Sequence, residues 1–140
     1  MLLYHGTAST YLPSIQKNGL KPSKTRIFQV ETSYGDRVPP THPGVYLSTS
    51  RETAEAFAIL RASYLNALPG QKVNFPLYQG FYRSEDAPAP LGNAKPILLE
   101  IQIDDFSTLH VDEDAASMEA YWHPGSIPAS AIVKVDKLDA

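Results

Sequence analysis

The stretch Leu2-Leu3-Tyr4-His5-Gly6-Thr7 decides how the chain is read. Apolar and aromatic residues run directly into His-Gly-Thr, the pattern of a strand over residues 2–5 that ends at Gly6-Thr7. The construction returns at Gly44-Val45-Tyr46-Leu47-Ser48, where a strand over 45–48 carries a tyrosine. In Met118-Glu119-Ala120-Tyr121 a glutamate stands within a third strand-like segment, residues 118–123, ahead of Ile127-Pro128. A histidine, a tyrosine and a glutamate thus stand on separate segments, as the walls of a shared cleft would.

The intervening sequence supplies two helices. Ser9 or Thr10 caps a short helix carrying Leu12, Ile15 and Gln16, which Asn18-Gly19 stops, since Gly tolerates the left-handed conformation. Thr49 or Ser50 caps a longer one, with Glu52 and Glu55 at the positive end of its dipole. In it Ala54, Phe57, Ala58, Arg61, Ala62 and Leu65 fall at helical spacing, and it ends near Asn66, before Pro69-Gly70. Residues 97–103 alternate, with Leu99, Ile101 and Ile103 on one face, and read as a half-buried strand; residues 131–138 are the last strand candidate. The order strand, helix, strand, helix, then strands argues an α+β fold with a mostly antiparallel sheet and peripheral helices. No internal repeat or low-complexity tract divides residues 1–140, so a single domain is expected.

Two connections stand out. Residues 23–43 form a long, locally basic one with Lys24, Arg26 and Arg37, of a length that is usually functional or mobile in compact domains. Residues 69–95 are punctuated by Pro and Gly, yet Phe75, Leu77, Tyr78, Phe81 and Tyr82 make them too aromatic for a solvated linker.

The 140 residues are 43% hydrophobic, enough for one sizeable core, and the net charge of −3 gives no general attraction to nucleic acid. The absence of cysteine excludes disulfides, thiolate zinc sites and cysteine nucleophiles. His5, His42, His110 and His123 lack the close spacing of a metal site, so no metal is expected. No apolar run approaches the roughly 18 residues that span a bilayer, and no basic segment precedes an apolar stretch at the N-terminus. A cytoplasmic protein without membrane contact is the expectation.

Each candidate residue has two readings. His5 either bonds a ribose hydroxyl or is a half-exposed histidine before a turn. The missing side chain of Gly6 either admits a planar ligand to the backbone or serves the turn. Tyr46 stacks on an aromatic base or packs across the sheet. Phe57 is a second wall of that slot or core. Glu119 stabilises a developing oxocarbenium ion or is a solvated glutamate.

Taken together, Tyr4-His5-Gly6-Thr7 with Ile15 and Gly19-Leu20, then residues 44–50 with Ala54 and Phe57, then Glu119 with Ile127-Pro128 and Ala131-Ile132, resemble the ADP-ribosyltransferase superfamily. The likeness is to the branch with a His-Tyr-Glu triad, which includes the poly(ADP-ribose) polymerases and many bacterial and phage toxins. It covers about residues 2–20, 44–60 and 97–135. The resemblance implies a split antiparallel β-sandwich gripping NAD in a central cleft, and a mono-ADP-ribosyltransferase that acts as a toxin, effector or phage factor. It implies that His5 bonds the adenosine-linked ribose and that Gly6 holds the nicotinamide amide through its backbone. Tyr46 and Phe57 would stack on nicotinamide, and Glu119 would bond the nicotinamide ribose and orient the acceptor. Ala54 stands where many polymerase-type members have a serine that bonds the carboxamide, which shifts that contact to Ser48 or Thr7. Arg26 reaches for the pyrophosphate, and Glu100, Asp112 and Glu113 are the fallback carboxylates. NAD is then the co-substrate, and a protein or nucleic acid the acceptor. A cognate antitoxin or immunity protein is a candidate partner. Two alternatives stand beside this reading: a non-catalytic NAD or ADP-ribose binding module, and an RNA 2′-phosphotransferase, whose need for clustered basic residues the acidic balance does not meet.

Overall fold

The structure, a computed structural model, describes residues 2–22, 30–31, 37–38, 44–76, 82–83, 85, 89–111 and 119–138. Strand β1 (Leu2–Ala8) leads through a tight 3-10 turn into helix α1 (Leu12–Asn18). Two short strands, β2 (Val30–Glu31) and β3 (Arg37–Val38), precede β4 (Val45–Ser48) and helix α2 (Arg51–Asn66). Then follow β5 (Pro96–Gln102), β6 (His110–Val111), β7 (Ala120–His123) and β8 (Ile132–Lys137). Six strands form one antiparallel sheet in the order β6-β7-β4-β1-β5-β8, and β2 and β3 pair separately. The α+β class read from the sequence is the class observed. Among the described residues no helix is long and apolar enough to cross a membrane.

On one face of the sheet Leu3, Val45, Leu47, Ile97, Leu99 and Ile101 pack with Ile15, Leu20 and Ile127. A fully buried Leu or Ile contributes about 1.5–3 kcal/mol, so this cluster is a main source of stability. The opposite face of β1 and β5 is covered by α2. Strand β5 was expected to be half-buried, but Leu98 is as inaccessible as Ile97 and Leu99, each at 0% exposure. The reason is that β5 lies inside the sheet with cover on both faces. At the far end of α2, the buried Arg83 donates to the Ala67 carbonyl and lies 5.2 Å from the centre of the Tyr64 ring. A cation there suits the negative end of the helix.

Strand β1 does not stop at Gly6-Thr7, as its sequence suggests, but continues in register with β5 to Ala8 opposite Pro96. Gly6 allows this because α2 crosses β1 at that point. A Cβ on Gly6 would stand 1.9 Å from the Ala54 carbonyl oxygen and 2.6 Å from the Ala58 nitrogen. The missing side chain therefore serves the close approach of a helix. The caps also differ in part from expectation. Ser50 caps α2 by accepting from the Thr53 N–H at 3.2 Å, whereas Tyr11, at the N-cap of α1, makes no side-chain cap bond. The Ser9 hydroxyl instead accepts from the Lys95 N–H at 3.0 Å. Gly19 ends α1 at φ 75°, where a Cβ would meet the Ile127 carbonyl at 2.2 Å.

Because both atoms facing Gly6 belong to helix backbone, neither can swing aside. Gly6→Ala is expected to cost about 2–4 kcal/mol, read as a lower urea midpoint at unchanged slope. An unchanged midpoint would mean that α2 does not lie against β1.

Candidate active site

The site begins where the sheet opens. Among the described residues β1 pairs with β4 at Tyr4 opposite Ser48 alone, while β1 pairs with β5 along its whole length. Two bonds set the direction of the backbone groups along this opening. The Ser9 N–H donates to the Lys95 carbonyl at 2.8 Å, and the Thr49 N–H donates to the Glu119 carbonyl at 3.3 Å. Bonded and unbonded pairs alternate in an antiparallel ladder. From Ser9, the backbone groups of Thr7 and His5 point to β5, and those of Gly6 and Tyr4 point to β4. From Thr49, those of Leu47 point to β7, and those of Ser48 and Tyr46 point to β1. The N–H and C=O of Gly6 and the C=O of Tyr46 therefore face each other's strand where the ladder has parted.

His5 bridges this gap. Its Nδ1 lies 2.7 Å from the Tyr46 carbonyl, so Nδ1 carries the proton and donates, and Nε2 is the bare acceptor nitrogen. Burial pushes the His5 pKa down to about 4, against the raising effect of the Tyr46 carbonyl and together with the nearby Arg61 charge. The ring is neutral at physiological pH and able to accept a hydroxyl proton. Arg61 itself is held below the usual arginine range by burial, partly offset by Tyr11, over whose ring it lies at 5.5 Å. Its place within the apolar spacing of α2 masked it in the sequence. The one legible sign was a cation on the face otherwise made of Ala54, Ala58 and Ala62.

Tyr46 stands directly opposite Trp122 on β7, and Trp122 stacks on His110 with ring centres 4.4 Å apart. Glu119 immediately precedes β7, exposed and at φ 55°, a left-handed conformation that an L side chain rarely adopts. Such strain, where it persists, points to function. The Glu119 carbonyl accepts from the Thr49 N–H and also from the Ser48 hydroxyl at 3.0 Å.

His5 and Gly6 on β1 and Tyr46 on β4 stand where the two strands part, while Ser48 stands at the one β1–β4 pair and Glu119 one residue beyond it, opposite Thr49. Thr7 is buried, with its backbone turned to β5. Phe57 lies with its ring centre 5.2 Å from that of Phe75, at the edge of the cluster formed by Ala56, Leu60, Tyr64 and Val73. Glu100 is engaged by Arg51 at 3.3 Å, alongside Glu55 and Asp136. Arg26, Asp112 and Glu113 lie outside the described residues. Among the described residues no group of three or more His, Asp or Glu stands close enough to hold a metal. No protein-family model matches the chain, and no curated protein matches it.

Two outcomes follow from this geometry. His5 has a folded pKa of about 4 against an ordinary value of 6.5. Below pH 6.5 the unfolded chain therefore takes up a proton that the folded one refuses. The stability held above pH 6.5 should be lost progressively toward pH 4, by up to about 3 kcal/mol, and His5→Gln should flatten that part of the profile. Equal pH slopes for the two proteins would remove the assignment of a neutral ring. At position 119, a left-handed L residue costs about 1–2 kcal/mol, and glycine costs about 0.5–1 kcal/mol in unfolded-chain entropy. Glu119→Gly should thus raise stability by up to about 1.5 kcal/mol; a drop of about 0.5 kcal/mol or more in thermal denaturation would contradict the strain.

Proposed function

We propose that the protein is an NAD-dependent mono-ADP-ribosyltransferase on a split antiparallel β-sandwich. It transfers ADP-ribose to a macromolecular acceptor and releases nicotinamide. The observation that carries this reading is the parting of β1 from β4 after one pair, with the Gly6 backbone turned into the opening and neutral His5 spanning it. A carboxamide carries one donor and one acceptor side by side, and an N–H and C=O on a strand edge are its natural complement. Nicotinamide fits that edge, and a ribose hydroxyl fits the bare Nε2 of His5.

In this reading Tyr46 supplies a ring beside the opening, and Glu119 a carboxylate at the adjoining end of β7. The reaction breaks the bond from ribose C1′ to the pyridinium nitrogen, whose electron pair leaves with nicotinamide. The acceptor nucleophile bonds C1′ and gives up its proton. The leaving group is cationic before it departs and neutral after, so no acid is required. What the protein must supply is a negative charge near the forming oxocarbenium ion and a fixed ribose, the role given to Glu119. A neutral His5 suits a contact with a hydroxyl, because an imidazolium would place a positive charge near the developing cation.

A second reading, a non-catalytic NAD or ADP-ribose module, draws on Ala54, whose methyl cannot replace a carboxamide-binding hydroxyl. One experiment separates the two. Purified protein and its Glu119→Gln variant are incubated with labelled NAD and a whole-cell lysate, then treated with protease or nuclease. Transfer that falls by about a hundredfold or more in the variant, with NAD affinity kept within a few-fold, fits catalysis by Glu119. Tight NAD binding by both proteins without nicotinamide release leaves the binding module. The treatment that removes the label names the acceptor class.

A further inference from the structure

The Ser48 hydroxyl is buried at 3% exposure and lies within a chain of four bonds. The Thr53 N–H donates to the Ser50 hydroxyl at 3.2 Å, and the Ser50 N–H donates to the Ser48 hydroxyl at 2.9 Å. The Ser48 O–H then donates to the Glu119 carbonyl at 3.0 Å, joined there by the Thr49 N–H at 3.3 Å. The first turn of α2 is in this way wired to the residue before β7. A serine hydroxyl has one proton, and here it is given to Glu119. Ser48 therefore cannot donate to a carboxamide without releasing that carbonyl.

The Glu119 carbonyl is the end of the β4–β7 ladder, and its last backbone rung is long. Glu119 sits at φ 55°, which nothing in its own side chain favours. A second donor on the same carbonyl fixes the peptide plane between Glu119 and Ala120, and with it the direction in which the Glu119 side chain leaves the backbone. Without that donor the chain has both a reason to relax, the left-handed strain, and the freedom to do so.

We propose that Ser48 is a positioning residue: its hydroxyl, fixed by the Ser50 amide, locks the left-handed turn from which the Glu119 carboxylate projects. This rests on the reading of Glu119 as the carboxylate of the transfer reaction. Ser48 acts through Glu119 and does not touch NAD. The hydroxyl also ties the start of α2, which lies against Gly6, to the carboxylate, so the amide-binding edge and the carboxylate are set by one rigid connection.

The test compares Ser48→Thr with Ser48→Val, which match in shape and differ in the hydroxyl, together with Ser48→Ala and Glu119→Gln. Nicotinamide release from NAD is measured over a range of NAD concentrations with lysate as acceptor source. Ser48→Thr should keep kcat within about threefold of the parent, while Ser48→Val and Ser48→Ala lose about 10- to 100-fold in kcat with KM for NAD unchanged within about twofold. A loss carried by KM at unchanged kcat would make Ser48 a direct NAD contact and overturn the proposal. So would equal kcat for Ser48→Thr and Ser48→Val. Glu119→Gln as active as the parent would remove the underlying role of Glu119. An inactive Glu119→Gln beside a fully active Ser48→Ala would sink the positioning role alone. A parent protein that releases no nicotinamide would overturn both. If Ser48→Ala fails to fold, the matched Thr and Val pair decides.

Discussion

The approach of α2 to β1 at Gly6 sets the geometry of everything around it. A helix normally stands off a sheet by the length of its side chains; here two helix backbone atoms occupy the space that a single methyl would take. That closeness requires small residues along the contact, and Ala54, Ala58 and Ala62 provide them, with Ala8 taking up the line on β1. It also fixes β4. The helix starts within a few residues of Ser48, and its Ser50 cap leaves little slack, so a helix seated on β1 holds the end of β4 close to Tyr4. Among the described residues β4 forms no further pair with β1.

Among the described residues β1 and β4 form one pair, and the two edges beyond it differ. On the β4 edge the Tyr46 carbonyl is satisfied by the His5 ring, which stands in for a missing rung. On the β1 edge the groups of Gly6 face the gap with no side chain of their own beside them. The same contact that satisfies Tyr46 holds the imidazole in one tautomer, while burial and Arg61 keep it uncharged. Structure and electrostatics are therefore served by one side chain.

Much of this was legible in the sequence where local rules suffice. The strand at 45–48, the helix at 51–66, its serine cap and the glycine stop of α1 depend on short-range pattern and were read with the observed or nearly the observed bounds. The end of β1, the two-sided burial of β5 and the role of Gly6 were not legible. Each depends on what packs against the strand from a distant part of the chain. The candidate residues show the same division. His5, Tyr46 and Glu119 stand out by residue type at strand ends, but the hydrogen bonds of the Ser48 hydroxyl depend on the register of β4 with β7, which no spacing in the sequence encodes. Arg61 was hidden because a cation within an apolar stripe reads as part of the stripe.

The left-handed backbone at Glu119 has a consequence for descent. A left-handed L residue costs about 1–2 kcal/mol, so if the proposed role of Glu119 holds, selection on its carboxylate offsets that cost. In a lineage that had given up chemistry at this position, drift would run toward glycine or asparagine, the residues that sit most easily there. Position 119 is then a molecular record. A glutamate kept there among relatives would mark continuing use of its carboxylate, and a glycine would mark a branch that had turned the same scaffold to another purpose.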